Sequence, residues 1–322
     1  MRPSLPVLLA IAALAAACGP RAGRAAGDDS RRDFPAVQIP GIYTEKQSRE
    51  AYAAEHFWDR FFAGAEGMEC DSATVCGVRR PVLEEAFSTY VSLLGTQDTE
   101  SGRKNVAALY DRAEALQEAD PQSNVLDAFS DLAEFYLYDP NSPYRNEDLY
   151  QPFVERLARS PFTSPSEVPA RAFEARMCAL NAAGTPAADF RFTDASGRTH
   201  RLSDFRADHT LLIFSNPDCE ACETFMRRMA SIGFCRSLIS SGVLEVVNVY
   251  IDEDIDAWLG HAGGLPAEWH NGYDPDFVIR KDLLYHVRGI PSLYVLDKDG
   301  RVIMKDAPED RVFAFLESIS RD

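Results

Sequence analysis

An apolar segment that leads directly into a pair of cysteines constrains the fold of this chain more than any other feature. Residues 210–214 form a continuous apolar run, which is typical of a strand buried on both faces. Cys219 and Cys222 follow closely, and apolar residues then recur at helical spacing as far as Ile232. Cys219 is therefore predicted at a helix N-terminus, where unpaired amide groups and the helix dipole stabilise a thiolate. Cys222 lies one turn further on, where it can attack a mixed disulfide, although zinc sites share this spacing.

The rest of the second half alternates strands with helices, as an α/β domain does. Apolar or alternating segments predict further strands at 189–193, 198–202, 243–251, 292–296 and 301–304. A closing amphipathic helix is predicted over 312–319. Residues 252–256 carry acids at alternate positions but lack the glycine and glutamate of a calcium loop, so we expect a solvated acidic loop. Residues 259–273 are interpreted as a surface excursion, with a cover over the dithiol as the alternative.

The first half of the chain has a helical pattern throughout. Apolar residues recur at helical spacing in the segments 81–94, 106–116, 125–136, 153–158 and 170–181. Pro81 suits the first turn of a helix, and Asn124 suits an N-cap. The aromatic residues of this half are interpreted as its core, with a ligand groove as the alternative. An all-α domain is therefore predicted over 41–182, followed by the α/β domain over 183–322.

The N-terminus has the pattern of a secretory signal. A basic start and a short apolar run end in small residues at Cys18, and the run is shorter than the roughly 20 residues of a membrane span. Residues 1–17 are predicted as a signal peptide, and residues 18–40, rich in Gly, Ala, Arg, Asp and Pro, as a flexible tether. The residues before Cys18 resemble a bacterial lipoprotein signal, which implies lipidation of this cysteine. Simple cleavage that leaves a free cysteine is the alternative.

Motifs of the second half resemble those of TlpA/ResA-type thioredoxin-like proteins, which are membrane-tethered periplasmic thiol-disulfide oxidoreductases. The matching segments are Ala188-Asp189-Phe190, Leu211 to Phe214, Cys219-Glu220-Ala221-Cys222, Ile290-Pro291 and Leu296-Asp297-Lys298-Asp299-Gly300. Through residues 56–59 and 136–147, the first half resembles a helical domain of unknown function that precedes a thioredoxin-like domain in Gram-negative envelope lipoproteins. The resemblance therefore implies a thioredoxin-like α/β C-terminal domain preceded by an all-α N-terminal domain.

The same resemblance implies an activity and assigns roles at the dithiol. Cys219 is the expected nucleophile and Cys222 the resolving cysteine of a dithiol–disulfide exchange. Pro291 corresponds to a cis-proline that faces the dithiol, and the backbone of Ile290 would pair with an extended substrate segment. The expected partners are protein thiols and disulfides of the envelope and a membrane electron donor. The expected location is the periplasm of a Gram-negative bacterium, with a lipid anchor in the outer membrane.

Some positions near the dithiol depart from the thioredoxin pattern. Asp218 stands where a Trp often precedes the first cysteine, and Ile213 stands where thioredoxin has a buried acid. Glu245 is only a weak candidate for the acid of the TlpA/ResA branch. Asp218 and Glu220 place negative charge beside Cys219, which opposes its thiolate and offsets part of the helix dipole. We therefore expect a reductant or an isomerase, with a potential nearer thioredoxin's (about −270 mV) than DsbA's (about −120 mV).

The remaining cysteines leave several hypotheses open. Cys70 and Cys76 flank a short loop-like stretch, where they could form a structural disulfide in an oxidising compartment. Cys178 and Cys235 are interpreted as buried thiols, and a bridge between the two domains or a metal site shared with the dithiol are the alternatives. Neither a metal nor another cofactor is predicted.

Charge argues against some classes of function. The chain has 33 Lys and Arg against 50 Asp and Glu, a formal net charge of −17. This balance argues against a nucleic acid partner, because phosphate binding needs clustered basic charge. One rival hypothesis is an envelope binding protein, whose helical domain recognises a partner and whose thioredoxin-like domain is a scaffold. A peroxiredoxin-like peroxide reductase is less favoured, because Pro217 lies too close to Cys219 and the positions of the peroxide-binding motif, Leu212 and Ser215, hold no Pro.

Overall fold

The computed structural model describes residues 31–68 and 70–321, which form a helical domain followed by a domain built on a mixed β-sheet. The signal peptide predicted over 1–17 and the lipidation predicted at Cys18 lie outside the described residues. Within those two ranges, no helix is both long and apolar enough to cross a membrane.

The helices of the first domain follow the predicted segments, with boundaries shifted by a few residues. They are α1 (Lys46–Glu55), α2 (Asp59–Ala63), α3 (Arg80–Leu94), α4 (Thr99–Ala119), α5 (Val125–Ala133), α6 (Glu147–Leu157) and α7 (Val168–Ala179). Pro81 lies in the first turn of α3, where its missing N–H is tolerated. Asp98 caps α4 by accepting a hydrogen bond from the N–H of Ser101, and Asn146 caps α6 in the same way.

Two short elements depart from the predicted all-helical pattern of this domain. An antiparallel hairpin, β1 (Thr74–Val75) and β2 (Val78–Arg79), precedes α3. A π-helical turn (Glu134–Tyr138) continues α5. Asn124 begins α5 as predicted, but its side-chain amide donates to the carbonyl of Asp71 beside the hairpin (2.7 Å) and does not cap the helix. Elements of two or five residues carry too little periodicity for sequence patterns to detect them.

Aromatic side chains fill the core of the helical domain. Trp58 is buried, and its ring centroid lies 4.9 Å from that of Phe129 and 5.7 Å from that of Phe61, both edge-on. Phe87 and Tyr90 are buried around it. Edge-to-face pairs of this kind stabilise a core beyond the apolar area that they bury. These aromatic residues are therefore core residues, as the sequence indicates.

The end of the predicted tether (18–40) packs against the helical domain. The guanidinium of Arg32 donates to the carbonyls of Phe61 (2.7 Å) and Cys76 (2.8 Å). The ring of Phe34 packs on the aromatic core. The prediction of a flexible tether up to residue 40 is wrong for this part. The segment has the composition of a loop, but Arg32 and Phe34 make defined contacts with the helical domain. Both residues therefore pack with the helical domain.

In the described residues, a seven-stranded mixed sheet forms the second domain. Its strands are β3 (Arg191–Thr193), β4 (Thr199–Arg201), β5 (His209–Ser215), β6 (Leu244–Tyr250), β7 (His270–Tyr273), β8 (Ser292–Asp297) and β9 (Val302–Met304). They lie in the order β4-β3-β7-β6-β5-β8-β9. Strand β5 is parallel to β6 and antiparallel to β8, so the C-terminal end of β5 lies beside the start of β8.

Helices and apolar side chains cover the sheet. The helices are α8 (Glu220–Ser231), α9 (Gly233–Ser240), α10 (Ile255–Ala262), α11 (Val278–Lys281) and α12 (Glu309–Ile319). Leu211 and Ile213 of β5 pack with the apolar faces of α8, α9 and α12. Leu212 and Phe214, which point to the opposite face, pack with a second cluster that includes Tyr285. The alternation of β5 side chains thus divides the core of this domain into two layers.

Strand β7 is not predicted by the sequence. The interpretation of 259–273 as a surface excursion is wrong for its last residues, because His270–Tyr273 pairs with β6 and β3 inside the sheet. Gly272 suits this place because a Cβ there would come within 2.8 Å of the carbonyl oxygen of Thr193. A glycine between polar residues has no apolar alternation, which is the pattern that normally identifies a strand.

Buried ion pairs join the two domains. Glu147, the first residue of α6, lies 2.7 Å from the ammonium of Lys305 and accepts a hydrogen bond from Arg288 at 2.9 Å. The side chains of Glu147 and Lys305 are 1% and 0% exposed. Lys305 also donates to carbonyls at the end of α7, among them those of Met177 (2.8 Å) and Leu180 (2.6 Å). Charges removed from water need such partners, so this interface depends on Glu147.

Replacing Glu147 with Ala should destabilise the protein strongly. The substitution leaves Lys305 and Arg288 buried without their shared carboxylate, and breaking a buried pair in this way costs about 3–5 kcal/mol. Guanidinium denaturation of the full chain measures the loss. Glu100→Ala, which removes one partner of an exposed pair with Lys104, is the matched control and should leave the midpoint unchanged. Equal midpoints for the two variants would contradict this role of Glu147.

Candidate active site

The dithiol lies where β5 ends and α8 begins. Cys219 is the N-cap of α8, and its sulfur accepts a hydrogen bond from the N–H of Cys222 (3.1 Å). The two cysteines form a disulfide, with their Cα atoms 5.2 Å apart. When this bond is reduced, the sulfur of Cys219 remains at the positive end of the helix dipole, where a thiolate is stabilised.

The two sulfurs differ in their access to solvent. Cys219 is half-buried, whereas Cys222 is 1% exposed. Exchange proceeds by attack of a thiolate on a disulfide sulfur, so a partner molecule reaches Cys219 first. Cys219 is therefore the more accessible sulfur of the pair, and the roles of nucleophile and resolving cysteine stay predictions.

A proline loop faces the dithiol from the neighbouring strand. The peptide bond between Ile290 and Pro291 is cis, and β8 begins at the next residue. The carbonyl oxygen of Ile290 lies 3.9 Å from the sulfur of Cys219. Behind the loop, the hydroxyl of Ser292 donates to Asp306 (2.7 Å), and burial raises the pKa of Asp306 to about 6. The backbone of Ile290 therefore lies next to the sulfur of Cys219.

The charged residues near the dithiol lie at its exposed rim. Asp218 and Glu220 flank Cys219 and are both exposed. Ile213 is fully buried, so an aliphatic side chain occupies the position of thioredoxin's buried acid. Glu245 lies at the N-terminal end of β6, whereas Cys219 follows the C-terminal end of the parallel strand β5. Glu245 is therefore at the wrong end of the sheet to exchange protons with the dithiol.

The loop before Cys219 is held by residues that the sequence does not single out as a site. The side-chain amide of Asn216 donates to Asp252, and Asp252 pairs with Arg280. Asp254, two residues further on, accepts from the N–H of Ala257 and caps α10. The acidic run is thus partly structural and not only a solvated loop. These partners are distant in the chain, and no local pattern links them.

Cys70 and Cys76 do not form the predicted disulfide. Their sulfurs lie 4.0 Å apart, and both cysteines are free. Cys76 lies in the turn of the β1–β2 hairpin with a φ of 49°, and its N–H donates to the sulfur of Cys70 at 3.3 Å. The hairpin thus joins these residues by an N–H···S contact. Burial raises the pKa of Cys76 to about 12, which keeps this thiol protonated at neutral pH.

Cys178 and Cys235 are buried thiols in separate cores. Cys178 lies in the aromatic core of the helical domain, and Cys235 lies on α9 in the core of the sheet domain. Burial raises the pKa of both thiols, that of Cys235 to about 11. The interpretation as buried thiols is therefore the one that the structure supports, and a bridge between the domains is not formed.

Alkylation of the reduced native protein should discriminate among these cysteines. Cys219 should react with iodoacetamide at pH 8. Cys235 should not, because with a pKa of about 11 only about one molecule in a thousand carries its thiolate, and burial blocks access. Peptide mass spectrometry reads the sites, and unfolding in guanidinium, which should expose all thiols, is the control. Native-state labelling of Cys178 or Cys235 at the rate of Cys219 would contradict this description.

Comparisons with known proteins agree with the fold and with the class of enzyme. The profile of a domain of unknown function, DUF5106, matches residues 16–173. The thiol-disulfide oxidoreductases ResA of Geobacillus kaustophilus and Geobacillus thermodenitrificans are 28% and 27% identical over 127 residues, which is 38% of this chain and 67% of each relative. A crystal structure of a thioredoxin-like protein from Bacteroides caccae superposes with a TM-score of 0.74 at 31% identity. That alignment covers 89% of this chain and 99% of the other.

A cysteine pair at a helix N-terminus, facing a cis-proline in a mixed sheet, defines the class of thioredoxin-fold thiol-disulfide oxidoreductases. The chain belongs to the thioredoxin-like proteins, with an N-terminal region of the DUF5106 type. The predicted fold class, a thioredoxin-like α/β domain preceded by a mainly helical domain, is confirmed.

Proposed function

We propose that this protein exchanges its dithiol with disulfides of envelope proteins and acts as a reductant or an isomerase. One observation carries the proposal. The half-exposed sulfur of Cys219 lies at a helix N-terminus, 3.9 Å from the carbonyl of Ile290 and above a buried partner, Cys222. This arrangement provides a nucleophile, a backbone for the substrate to pair with and a resolving thiol in one place.

The exchange proceeds in two balanced steps. In the reduced protein, the thiolate of Cys219 attacks one sulfur of a substrate disulfide. A mixed disulfide forms, and the other substrate sulfur leaves as a thiolate that takes up a proton. Cys222 then loses its proton and attacks the sulfur of Cys219. This second step releases the remaining substrate thiol and forms the Cys219–Cys222 disulfide seen in the structure, so two electrons pass to the substrate.

The charges around the dithiol support the reducing direction. Asp218 and Glu220 are exposed on either side of Cys219 and raise the free energy of its thiolate. A less stable thiolate makes the disulfide form relatively more stable and the dithiol a better reductant. A membrane electron donor that returns two electrons to Cys219 and Cys222 completes the cycle.

The proposed location is the periplasm, with a lipid anchor on Cys18 in the outer membrane. The support is the N-terminal pattern of a basic start, an apolar run and small residues before Cys18. The exchange chemistry and the Cys219–Cys222 disulfide agree with an oxidising compartment, where disulfides form and persist.

Reduction of insulin disulfides by the purified protein, with dithiothreitol as electron source, should depend on Cys219. Cys219→Ser removes the accessible nucleophile, and the rate should fall to that of dithiothreitol alone. Cys235→Ala is the matched control, because this thiol is buried away from the dithiol, and its activity should remain within about twofold of the wild type. Equal rates for wild type and Cys219→Ser would instead favour a binding protein that uses the fold as a scaffold.

A further inference from the structure

A cleft of about 500 Å³ lies between the helical domain and the proline loop. It is lined by the π-helical turn and the residues that follow it, including Phe135, Asp139 and Pro140, and on the other side by Arg288. We refer to this space, together with Asp131 at its edge, as the interdomain cleft. Neither the exchange steps nor the known part of the site uses it.

The interdomain cleft is lined by the same loop whose end contacts the reacting sulfur. Arg288 lies two residues before Ile290 in the chain. The carbonyl oxygen of Ile290 is 3.9 Å from the sulfur of Cys219. Pro140 lies against Gly289: the Cβ of Pro140 is 3.5 Å from the position that a Cβ on Gly289 would occupy. An extended chain advances about 3.3 Å per residue, so a segment that pairs with Ile290 enters the cleft within about three residues of its cysteine.

Arg288 fixes the wall of the cleft in place. Its guanidinium stacks 4.0 Å from the ring centroid of Tyr138 and donates to the carbonyl of the same residue. The charge of Arg288 is matched by buried Glu147, at 2.9 Å. The guanidinium of Arg288 therefore forms part of the domain interface, and its charge is already paired.

An exposed aromatic ring forms the apolar part of the cleft. Phe135 is 58% exposed, whereas its neighbours Tyr136 and Tyr138 are partly buried against the core of the helical domain. The π-helical turn from Glu134 to Tyr138 directs this ring away from the core. Single exposed rings are common, but a large ring at the edge of a cleft is the kind of residue that anchors a bound chain.

Carboxylates outnumber cations in the lining of the cleft, with Asp131, Glu134 and Asp139 against Arg288. Glu134 is paired with Arg171 at 2.7 Å. Asp131 and Asp139 have no cationic side chain within 4.0 Å in the part of the chain that the structure describes. Burial, and then the neighbouring carboxylate of Asp127, raise the pKa of Asp131, while the more distant Arg80 and Arg171 act in the opposite direction. Asp218 and Glu220, which flank Cys219 in the chain, are also exposed.

We infer that the interdomain cleft binds the segment of a substrate polypeptide next to its reacting cysteine, and that it selects a Lys or Arg with a neighbouring apolar residue. The apolar side chain would pack on Phe135, and the cation would lie between Asp131 and Asp139. The helical domain would thus determine which disulfides are exchanged. This inference rests on the proposed exchange activity.

The test uses pairs of synthetic peptides, each with one cysteine in a mixed disulfide with thionitrobenzoate, whose release is followed by absorbance. One peptide carries Leu and Lys within about three residues on both sides of the cysteine, and the other carries Leu and Glu there. The reduced wild-type protein should react faster with the Lys peptide, and added salt should reduce the difference. Equal second-order rates for the two peptides would overturn the inference.

Variants of the cleft locate the selectivity. Asp131→Asn combined with Asp139→Asn should reduce the preference for the Lys peptide by about fivefold, because two partly exposed ion pairs are lost. Phe135→Ala should slow both peptides by about tenfold. Phe162→Ala, which truncates another exposed ring (39%) that does not line the cleft, is the matched control and should not slow them. Identical behaviour of Phe135→Ala and Phe162→Ala would place the binding surface elsewhere and overturn the inference.

A small neutral probe, hydroxyethyl disulfide, separates this inference from the activity on which it rests. Every cleft variant should react with it as the wild type does, because the probe is too small to reach Phe135. An equal loss with this probe would show that Phe135 positions the dithiol, which contradicts a docking role. If the reduced wild-type protein itself fails to react with the probe, the proposed function fails, whatever the peptides show.

Discussion

One buried carboxylate, that of Glu147, connects the two halves of this protein. It lies between Lys305 and Arg288, two cations of the sheet domain that have little or no contact with water. Buried charges stabilise a protein only when each one keeps its partner. Separation of the domains would therefore break the ion pairs of Glu147 with Lys305 and Arg288. Arg288 belongs to the loop that ends in the cis peptide before Pro291. The same contact therefore joins the domains and holds the loop that faces the dithiol.

The dithiol depends on the order of the strands. Because β5 and β8 are antiparallel neighbours, the end of one and the start of the other meet at the same edge of the sheet. Cys219 follows β5, and Pro291 precedes β8. The helix N-terminus supplies N–H groups to Cys219, while burial separates Cys222 from solvent. A single edge of the sheet thus brings together an accessible sulfur, a buried sulfur and the backbone of Ile290, and the helical domain forms a cleft with Arg288 of the same loop.

Local patterns in the sequence predict the long elements and the dithiol, and miss what depends on distant contacts. The apolar run of β5 and the spacing of Cys219 and Cys222 are signals within about twelve residues, and both elements are present. Glu147 and Arg288 are 141 positions apart in the chain, so no local periodicity predicts that they pair. Strand β7 is polar and contains Gly272, and its place in the sheet is decided by the fit against β3. The packing of Arg32 on the hairpin likewise depends on a contact with Cys76, 44 residues away, which composition cannot predict.

Mixed-disulfide trapping in cells tests the central claim most directly. With Cys222→Ser, the second step is blocked, so disulfide-linked adducts of envelope proteins should accumulate on Cys219 and be identified by mass spectrometry after non-reducing purification. The variant that lacks both Cys219 and Cys222 is the control and should show no such adducts. An absence of Cys219-linked adducts, or adducts found only through Cys222 in the reciprocal variant, would contradict the account of this site.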